Sequence, residues 1–491
     1  LPISRIFTLE AISKPLLRWF AAFGGRIKFQ TNQQQSERRI LMLECNRIST
    51  YNGNRFQALI DDDSQSGVFR IMAEIKPFRA WRYRPSLLEN IGELTSPLFD
   101  VASEKQRNSL YGNSLNSIHL SIPRGKQPAK KAAAALAEWK RNKVILQDNV
   151  PAIYVYYQYF SLPSDPEPYC RKGFICKIRV HDWQDSIILR HESVMDDAVD
   201  GQLELLAETR LNTSPTHGLY TDASFELEPH MDACIEHPIC RTEDYQGVID
   251  VMGIIQDEAI IAKFLERLKG EQVILADGHH RYAGSLAYMK RQMADNPAHT
   301  GNEGYNYHLM WLTNTEANDL RILPTHRLIK GLENFDETAI MKKFEKHFKI
   351  KPVADPGEIN EVITGKPWTY GLIFSENAYV VQLKPEAFPK LRWNFPEQIK
   401  QLDLTVAHYF IIEEILKIPG KIQTTSDKIE YERNFTKCMT AAMKGKAQMA
   451  IITNDVRIED VKRVCQCGCT MPPKSTFFYP KAVCGFLYCS I

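Results

Sequence analysis

Gln272-Val273-Ile274-Leu275-Ala276-Asp277-Gly278-His279-His280-Arg281-Tyr282 decides the reading of this chain. Val273 to Ala276 is an unbroken apolar run, the pattern of a strand buried on both faces. Asp277-Gly278 breaks the run, and from His280 to about residue 293 the pattern is helical. Upstream, Ile260, Ile261, Phe264, Leu265 and Leu268 recur at helical spacing over residues 257–269, and Gly270 closes that helix. The local unit is therefore helix, strand, tight turn, helix. At such a turn the first amide N–H groups of the second helix lack intrahelical partners, and the helix dipole favours an anion. Gly278 lets backbone approach a ligand closely. Arg281 offers a forked cation suited to phosphate or carboxylate, and Asp277 suits a magnesium ion or a substrate hydroxyl. The plainer alternative is Asp277 as an N-cap, with His279 and His280 on a solvated face.

Outward from this unit, helices and strands interleave. Residues 152–160 and 174–180 are rich in aromatic and β-branched residues and read as a hairpin across a loop at 163–168. Further strands are expected at 248–251, 307–313, 321–323 and 448–453, with a second hairpin from 370–374 and 379–383. Helices are expected at 129–141, 197–210, 337–347, 404–416 and 458–464. The order follows no strict βαβ repeat, so the expected class is α/β or α+β with mixed sheets and surrounding helices.

With 491 residues the chain has room for several domains. Hydrophobic residues at 44% and charged residues at 24% exclude wholesale disorder. Lysine plus arginine total 61 against 59 acidic residues, and this net +2 argues against a nucleic-acid partner. A mean hydropathy of −0.32 without a long apolar run excludes a membrane-spanning helix. The cysteines read as reduced thiols and no secretory pattern opens the sequence, so a cytoplasmic protein is expected. Residues 1–71, with polar runs at 30–35 and 61–66, are expected to be a poorly ordered extension carrying at most a short amphipathic helix at 16–23. The remainder divides into an expected 72–330 part and a 331–491 part.

Three more strings carry chemistry. In Arg190-His191-Glu192-Ser193 a carboxylate beside an imidazole can act as a general base, although such pairs also decorate surfaces. In Arg321-Ile322-Leu323-Pro324-Thr325-His326-Arg327 the proline stops a strand and leaves His326 and Arg327 on a loop, either solvated or contacting an anion. Gly468 to Ser475 nearly spells a phosphate-binding loop. Pro473 stands at its second glycine, however, and Phe477-Phe478-Tyr479 continues as strand rather than helix. Lys474 can still reach a phosphate from that Pro-Pro turn, or the turn is structural. Cys465, Cys467 and Cys469 lack the second ligand pair of a zinc site and read as structural thiols. His119, His217, His237 and His408 read as ordinary.

Together these strings resemble the DUF1015 family. Ile75-Lys76-Pro77-Phe78-Arg79-Ala80, Ser96-Pro97-Leu98-Phe99-Asp100-Val101, His191-Glu192, Asp277 to Tyr282, Leu323 to Arg327 and Met471-Pro472-Pro473-Lys474-Ser475-Thr476 fall in that family's order. The sequence departs from the family pattern at Leu98, Phe99, Val194 and near Gly201. His-Glu before a helix, followed by Asp-Gly-His-His-Arg, also resembles the ParB/sulfiredoxin-type nucleotide-binding fold and its free-serine kinases. That second resemblance implies Glu192, Asp277 and His280 as catalytic residues. It implies Gly278, His279 and Arg281 as phosphate or nucleotide contacts, His191 as a substrate contact and Asp277 as the metal ligand; His326, Arg327 and Lys474 join the phosphate contacts from the residue readings above.

The expectation is thus a magnesium-dependent phosphotransferase, using ATP or ADP and a small hydroxylated acceptor such as serine. Its rivals are a phosphoserine-ester phosphatase, a non-catalytic nucleotide sensor or ParB-like DNA-associated regulator, and an inactivated paralogue.

Overall fold

The computed structural model describes residues 25–30, 40–45, 73–98, 101–162, 165–472 and 474–491, with the backbone alone for the first two stretches. The chain divides into two compact units, Leu1–Ile71 and Met72–Ile491. In the first, Gly25–Gln30 and Ile40–Cys45 pair antiparallel. The helix expected at 16–23 lies outside the described residues, as do Phe99, Asp100 and Pro473.

The second unit is mixed α/β, built on a nine-stranded and a six-stranded sheet. At the centre of the first sheet, Ile153–Leu162 and Asp165–Arg179 form the expected hairpin, longer than its aromatic cores suggest. Alternate residues explain why the first part of the hairpin is apolar on both faces: Ile153, Val155 and Tyr157 enter one core cluster, and Tyr154 and Tyr156 the other. Both faces are covered. Ile261, Phe264 and Leu268 of helix Glu258–Leu268, with Tyr282 and Leu286 of helix His279–Asp295, pack on the first face. Leu136 and Trp139 of helix Pro128–Arg141 pack on the second, together with Phe486, Leu487 and Tyr488 from the C-terminal stretch.

The rest of this sheet runs outward from Tyr307–Asn314 through Thr216–Tyr220 and Val273–Asp277 to Ile188–Arg190. Thr216–Tyr220 has no counterpart among the expected strands. It is short and holds Gly218, where an added Cβ would lie 2.4 Å from Met310 Sδ, so close packing, not alternation, shaped its sequence. Val273–Asp277 pairs antiparallel with it but parallel with Ile188–Arg190.

The six-stranded sheet runs Phe348–Val353, Ala378–Leu383, Thr369–Ile373, Met449–Ile452, His326–Ile329, Ile429–Glu432, each neighbouring pair antiparallel. His326–Ile329 corrects an expectation. Pro324 does end one strand, but the next begins two residues later and lies inside this sheet. The apolar helix expected at 404–416 starts as Asp403–Val406 and widens into a π-helix over Ala407–Ile415.

Candidate functional site

Ile188–Arg190 and Val273–Asp277 run parallel with Leu275 opposite Arg190, so their C-terminal ends finish side by side. In sheets of this kind, ligands bind in the crevice beyond such ends. The residues just past the two strands are therefore brought together despite the long stretch of sequence between them. Glu192 Oε2 lies 3.7 Å from His279 Nδ1, and the His191 and His279 rings meet edge to face at 4.7 Å. The 470–476 segment lies along the same edge. Met471 N–H donates to His191 O at 2.8 Å, His191 Nε2 meets Thr476 Oγ1 at 2.7 Å, and Ser193 Oγ donates to Thr470 Oγ1 at 3.2 Å. Three of the four strings converge.

Helix His279–Asp295 is 17 residues long and starts after Gly278, with φ +89° and no side-chain cap. An added Cβ at Gly278 would meet Thr216 Cγ2 at 2.6 Å and Arg281 Nη2 at 2.8 Å. The glycine is thus required by its conformation and by close protein packing as well. His279 is 3% exposed, so the solvated-face alternative does not hold for it. Burial drives its imidazole well below the usual histidine range, and the neighbouring His191 and His280 add to this. His279 Nε2 and His280 Nε2 have no hydrogen-bond partner among the described residues. His280 is half-buried; burial and the charge of nearby Lys474 both favour its neutral form. Lys474 itself is exposed at the rim. Glu192 keeps 32% of its side chain exposed.

Asp277 and Arg281 are placed differently from expectation. Asp277 Oδ2 accepts from Arg281 Nη2 at 2.9 Å, while its Oδ1 is bound by Lys481 Nζ. Burial pushes this carboxyl up, but Lys481, Arg281 and Arg433 outweigh it and hold it below the ordinary carboxylate range. Arg281 Nη1 donates to Ser214 Oγ at 2.9 Å and to Pro215 O at 2.6 Å. Its fork therefore ties the helix start to the residues just before strand Thr216–Tyr220, so the guanidinium expected among the phosphate contacts is already engaged by the protein. Magnesium does not fit at Asp277, where an incoming cation would meet two cations already seated. Among the described residues no group of three or more His, Cys, Asp or Glu side chains is placed to hold a metal ion.

The fourth string forms the wall of a cleft of about 1590 Å³, to which Leu323, Pro324, His326, Arg433, Phe477 and Lys481 contribute. His326 is buried and neutral, its pKa lowered to about 3 by burial and then by Arg327. Arg327 is 0% exposed. Its guanidinium contacts Thr325 O and His408 Nε2 inside the second sheet's core. The expectation that Arg327 contacts phosphate is therefore corrected: the His326–Ile329 strand turns that side chain away from solvent. His408, ordinary by its sequence setting, is its partner.

Lys481 and Arg433 belong to the site and carry no motif in the sequence. Lys481 follows strand Phe477–Tyr479, whose long-range pairing with Arg321–Leu323 helps bring it to Asp277.

Against known proteins, the model of the family described as "Protein of unknown function (DUF1015)" matches residues 75–405. No curated protein matches the chain. Among solved structures, a free serine kinase in complex with AMP is similar at 12% identity and a TM-score of 0.30, covering 62% of this chain and 86% of that one. A C-terminally truncated SbnI from Staphylococcus aureus aligns at 12% identity and a TM-score of 0.32, covering 64% and 85%. A conserved hypothetical protein from Pyrococcus furiosus aligns at 11% identity and a TM-score of 0.29, covering 62% and 90%. No helix among the described residues is long and apolar enough to cross a membrane.

Proposed function

We propose that this chain, which belongs to the DUF1015 family, is a nucleotide-dependent phosphotransferase acting on a small hydroxylated acceptor such as free serine. The observation that carries this reading is the placement of Glu192. Its carboxylate lies 3.7 Å from His279 at the mouth of an uncapped helix start. Phosphoryl transfer needs anion cradling, in-line positioning and a proton acceptor more than it needs covalent chemistry. The open amides after Gly278, with His280 and Lys474 beside them, supply the cradle for the phosphates of ATP or ADP. Glu192 supplies the acceptor. It takes the hydroxyl proton as the acceptor oxygen bonds to the terminal phosphorus and the phosphoanhydride bond breaks, with the shortened nucleotide leaving. His279 is neutral and holds no competing charge beside the carboxylate. At 3.7 Å the pair is looser than a hydrogen bond, as catalytic pairs often are before substrate closes the site. His191 fixes the 470–476 segment through Thr476 and so shapes the acceptor's side of the pocket.

A second reading, a nucleotide sensor without transfer, draws on Asp277, whose carboxylate is closed between Arg281 and Lys481. One experiment separates the two. Terminally labelled ATP and ADP are each incubated with serine and the full chain, in wild type and in Glu192→Gln. Label on serine in wild type, falling by about a hundredfold or more in Glu192→Gln with nucleotide binding retained, supports the transferase. Nucleotide binding with no transfer in either protein leaves the sensor.

A further inference from the structure

Two basic side chains, Arg433 and Lys481, share one wall of the cleft, and Lys481 bridges from it to Asp277. The Arg433 guanidinium lies 3.7 Å from the centroid of the Phe477 ring, and Lys481 Nζ lies 5.6 Å from the same centroid. Lys481 Nζ also touches Asp277 Oδ1, and the charge of Arg433 reaches that carboxyl as well. Both residues line the cleft. Asp277 thus answers to three cations at once, the third being Arg281, whose fork is closed by Ser214 and Pro215.

The backbone that presents Lys481 is held by buried polar side chains. Arg171 is 0% exposed, and its guanidinium donates to the carbonyls of Pro480, at 2.8 Å, and Tyr479. Gln158 Nε2, equally buried, donates to Lys481 O at 3.1 Å. Burying a guanidinium costs free energy unless its donors are used. Here Nη1 and Nη2 are used on consecutive carbonyls of the segment that carries the lysine, while Nε has no partner among the described residues. The Phe477 platform is fixed in turn by the pairing of Phe477–Tyr479 with Arg321–Leu323.

We propose that Lys481 and Arg433 form the receptor for a multiply charged oxyanion, the pyrophosphate end of a nucleotide, and that Asp277 is the internal anion released from Lys481 when it binds. This assignment rests on the nucleotide reading above and adds residues of the C-terminal half to the phosphate contacts. A guanidinium such as that of Arg433 matches two phosphate oxygens once it exchanges its protein contacts for them, while Lys481 carries a compact charge able to swing from carboxylate to phosphate.

The test is calorimetric binding of inorganic pyrophosphate and of ADP to the full chain. Wild type is expected to bind both. Lys481→Gln and Arg433→Gln each weaken both ligands by about tenfold or more, and Lys481→Arg restores most of the affinity. Asp277→Asn is the guard against misfolding, because it moves the other way. With the competing carboxylate gone, pyrophosphate binds more tightly and raises the melting temperature by more than in wild type. Wild-type affinity for both ligands in Lys481→Gln and Arg433→Gln overturns the proposal. So does weaker pyrophosphate binding by a folded Asp277→Asn. Pyrophosphate and ADP bound through these two residues, with no label passed to serine, keeps the receptor and removes the transferase instead.

Discussion

Glu192 stands 3.7 Å from His279 because Ile188–Arg190 and Val273–Asp277 are parallel neighbours that end together. The same arrangement leaves His279 Nε2 buried without a partner among the described residues. A polar atom kept dry and unpaired costs stability, and functional sites are where such costs are retained. His279→Phe keeps a ring in the slot and removes both nitrogens. Its melting temperature is expected to hold or rise, while phosphate transfer falls by about tenfold or more. A loss of stability without a loss of transfer would assign His279 to packing.

Gly278 is constrained twice, by φ +89° and by Thr216 Cγ2 at 2.6 Å from where a Cβ would sit. Gly278→Ala is expected to lose about 1–2 kcal/mol from the backbone alone, with more from the clash. Urea unfolding measures this, and a shift of a few tenths would show that the turn relaxes.

Arg327 and Lys474 look alike in the sequence and sit in opposite settings. Arg327→Ala empties a fully buried slot and deprives His408 of its donor, so it is expected to cost about 3 kcal/mol or more and leave nucleotide affinity in the folded protein unchanged. Lys474→Ala removes an exposed cation beside His280, and is expected to weaken nucleotide binding by about threefold to tenfold with an unchanged melting temperature. Denaturation and nucleotide titration of both variants check the pair.

Acid is expected to unfold the protein through its histidines. Burial, the leading cause in each, lowers His181 and His191 to about 4 and His308, His326 and His408 to about 3. A depressed folded pKa gives stability that is present above the unfolded value near 6.5 and is lost as pH falls through the folded value. Asp250 works against this. Burial raises it to about 7, so its contribution is full below its unfolded value and is lost as pH rises through 7. Burial also lowers His217, His279, His280 and His347 and raises Glu228, Asp319, Asp403 and Asp455; the lowered imidazoles still outnumber the raised carboxyls, and the thermal unfolding midpoint should drop as pH is lowered from about 6.5 to about 4.5. Asp250→Asn, which removes the opposing contribution, should make that drop steeper.

The elements legible in the sequence are those with a strong local pattern. The Val273–Asp277 strand, the following helix and the helix Glu258–Leu268 are each declared by their own apolar spacing and by the Asp-Gly break. Thr216–Tyr220 and His326–Ile329 are not, because neither carries an unbroken apolar run and each takes its burial from strands distant in sequence. The site divides in the same way. His191, Glu192 and the Asp277–Arg281 turn announce themselves by residue type. Arg433 and Lys481 resemble surface cations until the pairing of Phe477–Tyr479 with Arg321–Leu323 is known. Residue type could mark Arg327 as interesting but could not show which way its strand faces.

The contact between Lys481 and Asp277 also sets an order of events during synthesis. A ribosome delivers Asp277 long before Lys481, and the stretch that bears the lysine is fastened further on, where Cys489–Ser490 pairs with Leu211–Asn212. A nascent chain halted between these two residues would carry this carboxylate without its lysine, answered by Arg281 and, once that stretch is made, Arg433. Translation errors near codon 480 should therefore be as damaging as errors at the turn itself, and quality-control proteases would meet the unfinished product with its crevice unclasped.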